Sequence, residues 1–319
     1  VVLFVFVDGV GAGRPDPDVN PLARVEHLLS RFADGSGAPL PAGGRAVLAD
    51  ARLGVPGRPQ SATGHTTILT GENAPKLIGH HLLGFPNARL RALLQERSIF
   101  RTVVERGGRV AFANAFPVVY LRSVGFDVAG EPEFELGRRR PRAAATTVAF
   151  GAAGGRFRTW AEALAGTALT HDITGERARA FGGSLPRRDP GQAAEILLGL
   201  GRDHDLTLFE FFATDEAGHA RSMDEAADAL GRVDGLLRAL LPGLGPSDSL
   251  VVTSDHGNVE DLSTRNHTLN PVPVLGFGPA AAALDEVRDL TAIAPLLARL
   301  VEGDGALLRG DPAVRVGRT

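Results

Sequence analysis

The chain has 319 residues and no cysteine, which excludes disulfide frameworks, thiolate zinc sites and cysteine nucleophiles, so any catalysis must use oxygen, nitrogen or a metal. It is 44% hydrophobic and 22% charged with mean hydropathy +0.02, the balance of a soluble globular protein large enough for one domain with an insertion, or for two. A formal net charge of -3 leaves no global basic field for a nucleic acid polymer or an anionic membrane, and anionic substrates need a local cationic site.

The first seven residues, VVLFVFV, read as a strand buried on both faces that ends at Asp8-Gly9. They are too short for a membrane span and lack the basic flank of a signal peptide, so the cytoplasm is the expected location. Residues 62–71 read as a short helix opened by Ser61, an N-cap residue type, and residues 98–106 as another before a strand at 109–113. From about 115 to 190 the texture changes. Here VVYLRSVGFDV suggests short alternating strands, followed by the run Arg138-Arg139-Arg140-Pro141-Arg142 and Gly-rich turns. This segment is read as an inserted α+β cap, residues 115–190, in a discontinuous α/β domain made of residues 1–114 and 191–319. Residues 191–199 resume helical texture, residues 206–212 form a second buried strand before Asp215, and residues 223–241 carry Leu230, Val233, Leu237 and Leu241 on one helical face. Residues 249–253 form a third buried strand before Ser254-Asp255-His256-Gly257, and residues 291–301 form a closing helix. The alternation is that of a doubly wound, mostly parallel sheet with helices on both faces.

Three buried strands thus each deliver an Asp to their carboxyl end, where ligands bind in open parallel sheets. Asp215 and His219 are spaced D-x-x-x-H, Asp255 and His256 are adjacent, and His267 sits in N-H-T-L-N-P-V-P. A sulfur-free set of carboxylates and imidazoles suits zinc or manganese, and six such ligands are enough for two ions. Each pair alone is weak; a second D-H pair, Asp203-His204, stands before its strand at the wrong end of the sheet and is set aside. Ser61, in QSATGHTTILTG, is placed at a helix N-terminus, whose free N–H groups favour both an alkoxide and an incoming phosphate.

In order along the chain, VFVDGVG, QSATGHTTILTG, TDEAGH, VVTSDHGN and NHTLNPVPVL resemble the motifs of the alkaline phosphatase superfamily, in the branch of cofactor-independent phosphoglycerate mutase, phosphopentomutase and the nucleotide pyrophosphatase/phosphodiesterases. The segment 115–190 matches none of these clearly. The resemblance implies that Asp215, His219 and His267 hold one divalent ion, zinc or manganese, that Asp8, Asp255 and His256 hold the other, and that Ser61 is the nucleophile and touches both. A covalent phosphoserine would then be resolved by water in a phosphatase or phosphodiesterase, or by a substrate hydroxyl in a mutase. The expected partner is a small phosphorylated substrate; oligomeric state is left open.

Hydrolysis is the leading expectation. A mutase must keep water from a phosphorylated intermediate, which calls for a closing cap with several arginines, and the cap supplies Arg177, Arg179, Arg187 and Arg188 beside the 138–142 run. About 150 residues separate Ser61 from Asp215, too few for the large insertion of the phosphoglycerate mutases, so a phosphopentomutase-like activity is the main alternative. Ser61-Ala62-Thr63-Gly64 lacks the Cys-or-Ser-x-Pro-x-Arg pattern of sulfatases. His65, His171 and Arg177 are candidate substrate contacts. Two readings of other classes are weighed. A dinucleotide-binding turn at residues 7–13 fails because Arg14 stands where a glycine is required and a Pro-rich stretch replaces the receiving helix. A catalytically inactive metal-binding protein is separated from an enzyme by replacing Ser61 with Ala.

Overall fold

The computed structural model describes residues 1–138 and 140–303; Arg139 of the Arg-rich run lies outside the described residues. Its centre is a six-stranded sheet in the order β2-β8-β7-β1-β6-β3, formed by β1 (Val2–Val7), β2 (Arg45–Ala49), β3 (Val110–Phe112), β6 (Leu206–Phe211), β7 (Ser249–Thr253) and β8 (Val272–Phe277), while β4 (Ala115–Phe116) and β5 (Arg158–Thr159) pair separately. The β1 strand is central and runs parallel to both β6 and β7. β3 is parallel to β6, and β8 and β2 complete the far edge antiparallel. The architecture is therefore the expected mostly parallel α/β sheet.

Its sequence explains why β1 is central. All six residues of VLFVFV are buried, and alternation sends Val2, Phe4 and Phe6 into one apolar cluster and Leu3, Val5 and Val7 into another. Helices cover both faces. After β2 come α1 (Ser61–Thr70), α2 (Ala74–Ile78), α3 (Ala88–Arg97) and α4 (Ile99–Glu105); α5 (Val118–Ser123), α6 (Ala145–Ala152), α7 (Trp160–Leu164) and α8 (Glu176–Ala180) lie between β4 and α9 (Pro190–Asp203). α10 (Ala213–Ala220) and α11 (Met223–Leu240) follow β6, and α12 (Pro279–Ala283) and α13 (Ile293–Glu302) follow β8. Ile68, Leu69, Phe100, Leu296 and Leu297 pack with Phe4 and Phe6, whereas Leu197, Leu230, Val233 and Leu237 pack with Leu3 and Val5 on the opposite face. None of the described helices is long and apolar enough to cross a membrane.

Two local expectations are corrected. VVYLRS is helical, not extended: Pro117 serves as the N-cap, the Glu133 carboxylate accepts the Val118 and Val119 N–H groups, and Val118 and Leu121, three apart, are the buried positions. The helix containing the nucleophile candidate is capped by Gln60, and Ser61 is its first helical residue, which leaves the serine hydroxyl for other partners. Within the range expected as a cap, α6 packs on α1, α3 and α4, and its Val148, Ala149 and Phe150 join the cluster of Phe4 and Phe6. Ala115, Trp160, Ala163, Ala168, Ala178 and Leu185 form a cluster of their own.

Candidate metal centre

The site follows from strand order. Because β6, β1 and β7 are parallel neighbours in register, Val7 beside Phe211 and Phe6 beside Thr253, their carboxyl ends set Asp8, the start of α10 and Asp255 side by side. In α10 the spacing of four places Asp215 and His219 on one face, with His219 Nε2 3.3 Å from Asp215 Oδ2. The amino end of α1 enters from above. Gly64 permits this approach, since a Cβ there would stand 2.8 Å from Asp255 Cβ.

Two compact groups of donors result. In one, Asp215, His256 and His267 each offer an atom within 4.8 Å of the others; in the second, Asp8, His65 and Asp255 do the same. All seven residues expected from the motifs converge here, but the imidazoles are shared out differently. His256 is the junction: its Nε2 lies 3.1 Å from Asp255 Oδ2, 3.5 Å from Asp8 Oδ1 and 3.1 Å from Ser61 Oγ, and its ring stacks on His267 with centroids 3.6 Å apart. His219 flanks the first group, 3.3 Å from His267 Nε2. His65 sits deep in the second, with Nε2 3.2 Å from Asp255 Oδ2 and 3.8 Å from Asp8 Oδ2.

Hydrogen bonds behind the donors orient them. His267 Nδ1 donates to Pro59 O at 2.9 Å and His219 Nδ1 to Arg265 O at 2.8 Å, an assignment that turns each Nε2 lone pair toward the centre. Asn258 Nδ2 donates to Asp215 Oδ1 at 2.7 Å. Glu260, which sequence reasoning missed, accepts from Gly11 N, Asn258 N, Thr268 Oγ1 and Asn270 Nδ2, so one buried carboxylate ties together the loops that carry Asp8, His256 and His267. Glu210 was also missed, although an acid inside the apolar strand LTLFEF is itself a signal. It is buried, and its Oε1 stands 3.7 Å from His65 Nδ1.

The electrostatics are those of crowded negative charge. Burial, with Asp255, Asp215 and Glu210 close by, pushes the Asp8 carboxyl well above its ordinary range. Burial likewise raises Glu210 to about 7. Asp255 is held low in spite of its burial by the flanking His256 and His65 imidazoles, and the hydrogen bond that His219 donates to the Asp215 carboxylate lifts His219 to about 9. Asp8 Oδ1, Asp255 Oδ2, His65 Nε2 and His256 Nδ1 are buried without a hydrogen-bond partner. Unpartnered oxygen and nitrogen donors on converging side chains are what divalent cations satisfy.

His171, Asp172 and Arg177 line a cavity that opens onto Asp8, Ser61 and Asp215. Asp203-His204 stands before β6, at its opposite end, as its position in sequence indicates.

Residues 192–302 match the Metalloenzyme superfamily, a span that holds Asp215, His219, Asp255, His256 and His267. The chain is 37% identical over 106 residues to the 2,3-bisphosphoglycerate-independent phosphoglycerate mutase of Halobacterium salinarum and 42% identical over 86 residues to the phosphopentomutase of Methylobacterium nodulans. These stretches cover 30% and 27% of the chain and 21% of each relative, so the chain matches about a fifth of those proteins' length. In fold it is similar to the PH0037 protein from Pyrococcus horikoshii (TM-score 0.54, 15% identity, 94% of this chain and 97% of that one). It is also similar to a cold-active alkaline phosphatase from a psychrophilic Shewanella (TM-score 0.50, 14% identity, 93% and 99%). Residues 192–302 thus share the pattern of the Metalloenzyme superfamily, and the chain shares the fold of these two structures.

Proposed function

We propose that the chain catalyses phosphoryl transfer through a phosphoserine at Ser61, supported by two divalent ions, zinc or manganese, and that it hydrolyses a phosphomonoester or phosphodiester of a small molecule. The observation that carries this reading is the position of Ser61: first residue of α1, with Oγ 3.1 Å from His256 Nε2, the residue that joins both donor groups. Asp8, His65, Asp255 and His256 would hold one ion and Asp215, His219 and His267 the other, with Ser61 at both. When bound, such ions lower the pKa of the serine hydroxyl and offset the charge of in-line displacement. The α1 amino end adds unpaired N–H groups on the side from which a phosphate approaches Ser61.

The arginines favour water over a substrate hydroxyl as the second acceptor. Arg177 is paired with Glu216, Arg179 donates to Thr174 O and Leu185 O, and Arg188 donates to Ala163 O. Arg179 thus braces its own loop, Arg188 is tied to α7 and Arg177 to α10, which draws them away from holding a phosphorylated intermediate while it turns. Similarity to a phosphopentomutase supports a mutase as the second reading.

Metal analysis beside assays with p-nitrophenyl phosphate, bis-p-nitrophenyl phosphate and ribose 5-phosphate, with added zinc or manganese, tests the proposal. Two ions per chain are expected, with hydrolysis falling by at least about a thousandfold in Ser61→Ala while the ions stay bound. Manganese-dependent isomerisation of ribose 5-phosphate with little hydrolysis would replace hydrolase by mutase. No bound metal, or undiminished turnover in the variant, would overturn the mechanism.

A further inference from the structure

We propose that the substrate's organic half carries a planar aromatic ring, so that the enzyme acts on phosphate esters that bear an aryl or heteroaryl ring in preference to phosphosugars without one; this deepens, and rests on, the phosphoryl-transfer reading. The cavity leading to Ser61 has a volume of about 600 Å³, within the range that encloses most of a small organic molecule. Its walls include Phe116, Tyr120, Phe134, Trp160, Phe181 and Phe212.

These rings are arranged as faces. Phe134 stacks on Phe181 with centroids 5.7 Å apart and lies 5.8 Å from Trp160. Phe116 stacks on Tyr120 at 5.6 Å, and His171 on Phe212 at 4.9 Å and 11°. The His171 imidazole is half-buried between Phe116 and Phe212, and this loss of water holds it uncharged down to about pH 3, so it adds to the apolar wall. Phe181, stacked on Phe134 on one side, remains 55% exposed, an aromatic ring still in contact with water at the cavity. An incoming ring would cover it.

The charged groups Arg177, Asp172 and Arg142 on the walls already have partners. Arg177 is paired with Glu216; Asp172 accepts from Gly175 N, Arg177 N and Thr174 Oγ1; the Arg142 guanidinium lies 4.4 Å above the Phe85 ring. A sugar entering this space would give up water from its several hydroxyls and meet two unpartnered wall hydroxyls, those of Thr147 and Thr170, whereas a flat ring would replace water on the aromatic faces.

Trp160 is the single tryptophan of the sequence, so its fluorescence reports occupancy independently of turnover. The metal-loaded Ser61→Ala protein is titrated with phenyl phosphate, adenosine 5′-monophosphate and ribose 5-phosphate, followed by fluorescence and by calorimetry. The nucleotide and the sugar phosphate differ only by the ring system. Expected are a Trp160 response and at least tenfold tighter binding for the two ring-bearing esters, with Phe181→Ser reducing that preference about tenfold. Equal or tighter binding of ribose 5-phosphate, or an unchanged preference in Phe181→Ser, would overturn the inference. Turnover in the wild-type protein keeps the two claims apart: aromatic binding without turnover removes the phosphoryl-transfer reading alone, and turnover with a preference for ribose 5-phosphate removes the ring pocket alone.

Discussion

His171 illustrates how much a single half-buried group depends on its surroundings. Residue type and the neighbouring turns placed it near a substrate, and it lines the cavity, but its ring is packed between Phe116 and Phe212. Burial, reinforced by Arg177, presses its pKa down to about 3 from 6.5. The unfolded chain binds this proton near pH 6.5 and the folded chain does not until about pH 3. Stability linked to His171 is therefore whole above pH 6.5 and is lost at about 1.4 kcal/mol per pH unit as pH falls toward 3. Urea denaturation at pH 7 and pH 5 should show a larger loss for the wild type than for His171→Phe; parallel losses would mean that the imidazole is not held neutral. Ser61, Asp8 and Asp255 were legible in sequence because each directly follows or opens an element of clear pattern. Glu260 was not, because its role lies in four hydrogen bonds from separate loops, which no spacing encodes.

Between elements, the decisive contact is α1 against the end of β7. Gly64 faces Asp255 across a gap that would put an added Cβ 2.8 Å from Asp255 Cβ and 3.1 Å from Asp255 O. Neither backbone nor the short Asp stem can swing aside, so Gly64→Ala should lever α1 away and part Ser61 from His256. A loss of about 1 to 3 kcal/mol in stability is expected, with at least a tenfold fall in turnover, read by urea denaturation and steady-state kinetics; wild-type turnover would show that the close approach is dispensable. The long buried strands were legible because a segment covered on both faces must be apolar throughout. The segment 118–123 misled because its β-branched residues favour extension, while Pro117 and the Glu133 carboxylate supply a helix start from outside the local pattern.

Over the whole molecule, the parallel sheet gathers Asp8, Asp215, Asp255 and Glu210 at one end, at the cost of mutual repulsion among buried carboxylates. With the proposed ions bound, that repulsion is offset and the folded state gains about 2.7 kcal/mol per site at free metal a hundredfold above Kd. Chelation should accordingly lower the melting temperature, and readdition of zinc or manganese should restore it, as followed by thermal denaturation with and without EDTA. An unchanged melting temperature would remove the ions from the account.

The sequence alone determined the buried parallel strands, the acids at their carboxyl ends and the ligand chemistry available to a chain without cysteine. These are local matters of burial pattern, turn placement and residue type. Only the tertiary structure decided that His256 joins the two donor groups, that His65 lies beside Asp8 and Asp255, that Glu210 backs them, and that aromatic rings from residues 116 to 212 face one cavity. Those contacts join residues tens to hundreds of positions apart, and strand order, register and helix approach set them, which no local periodicity records.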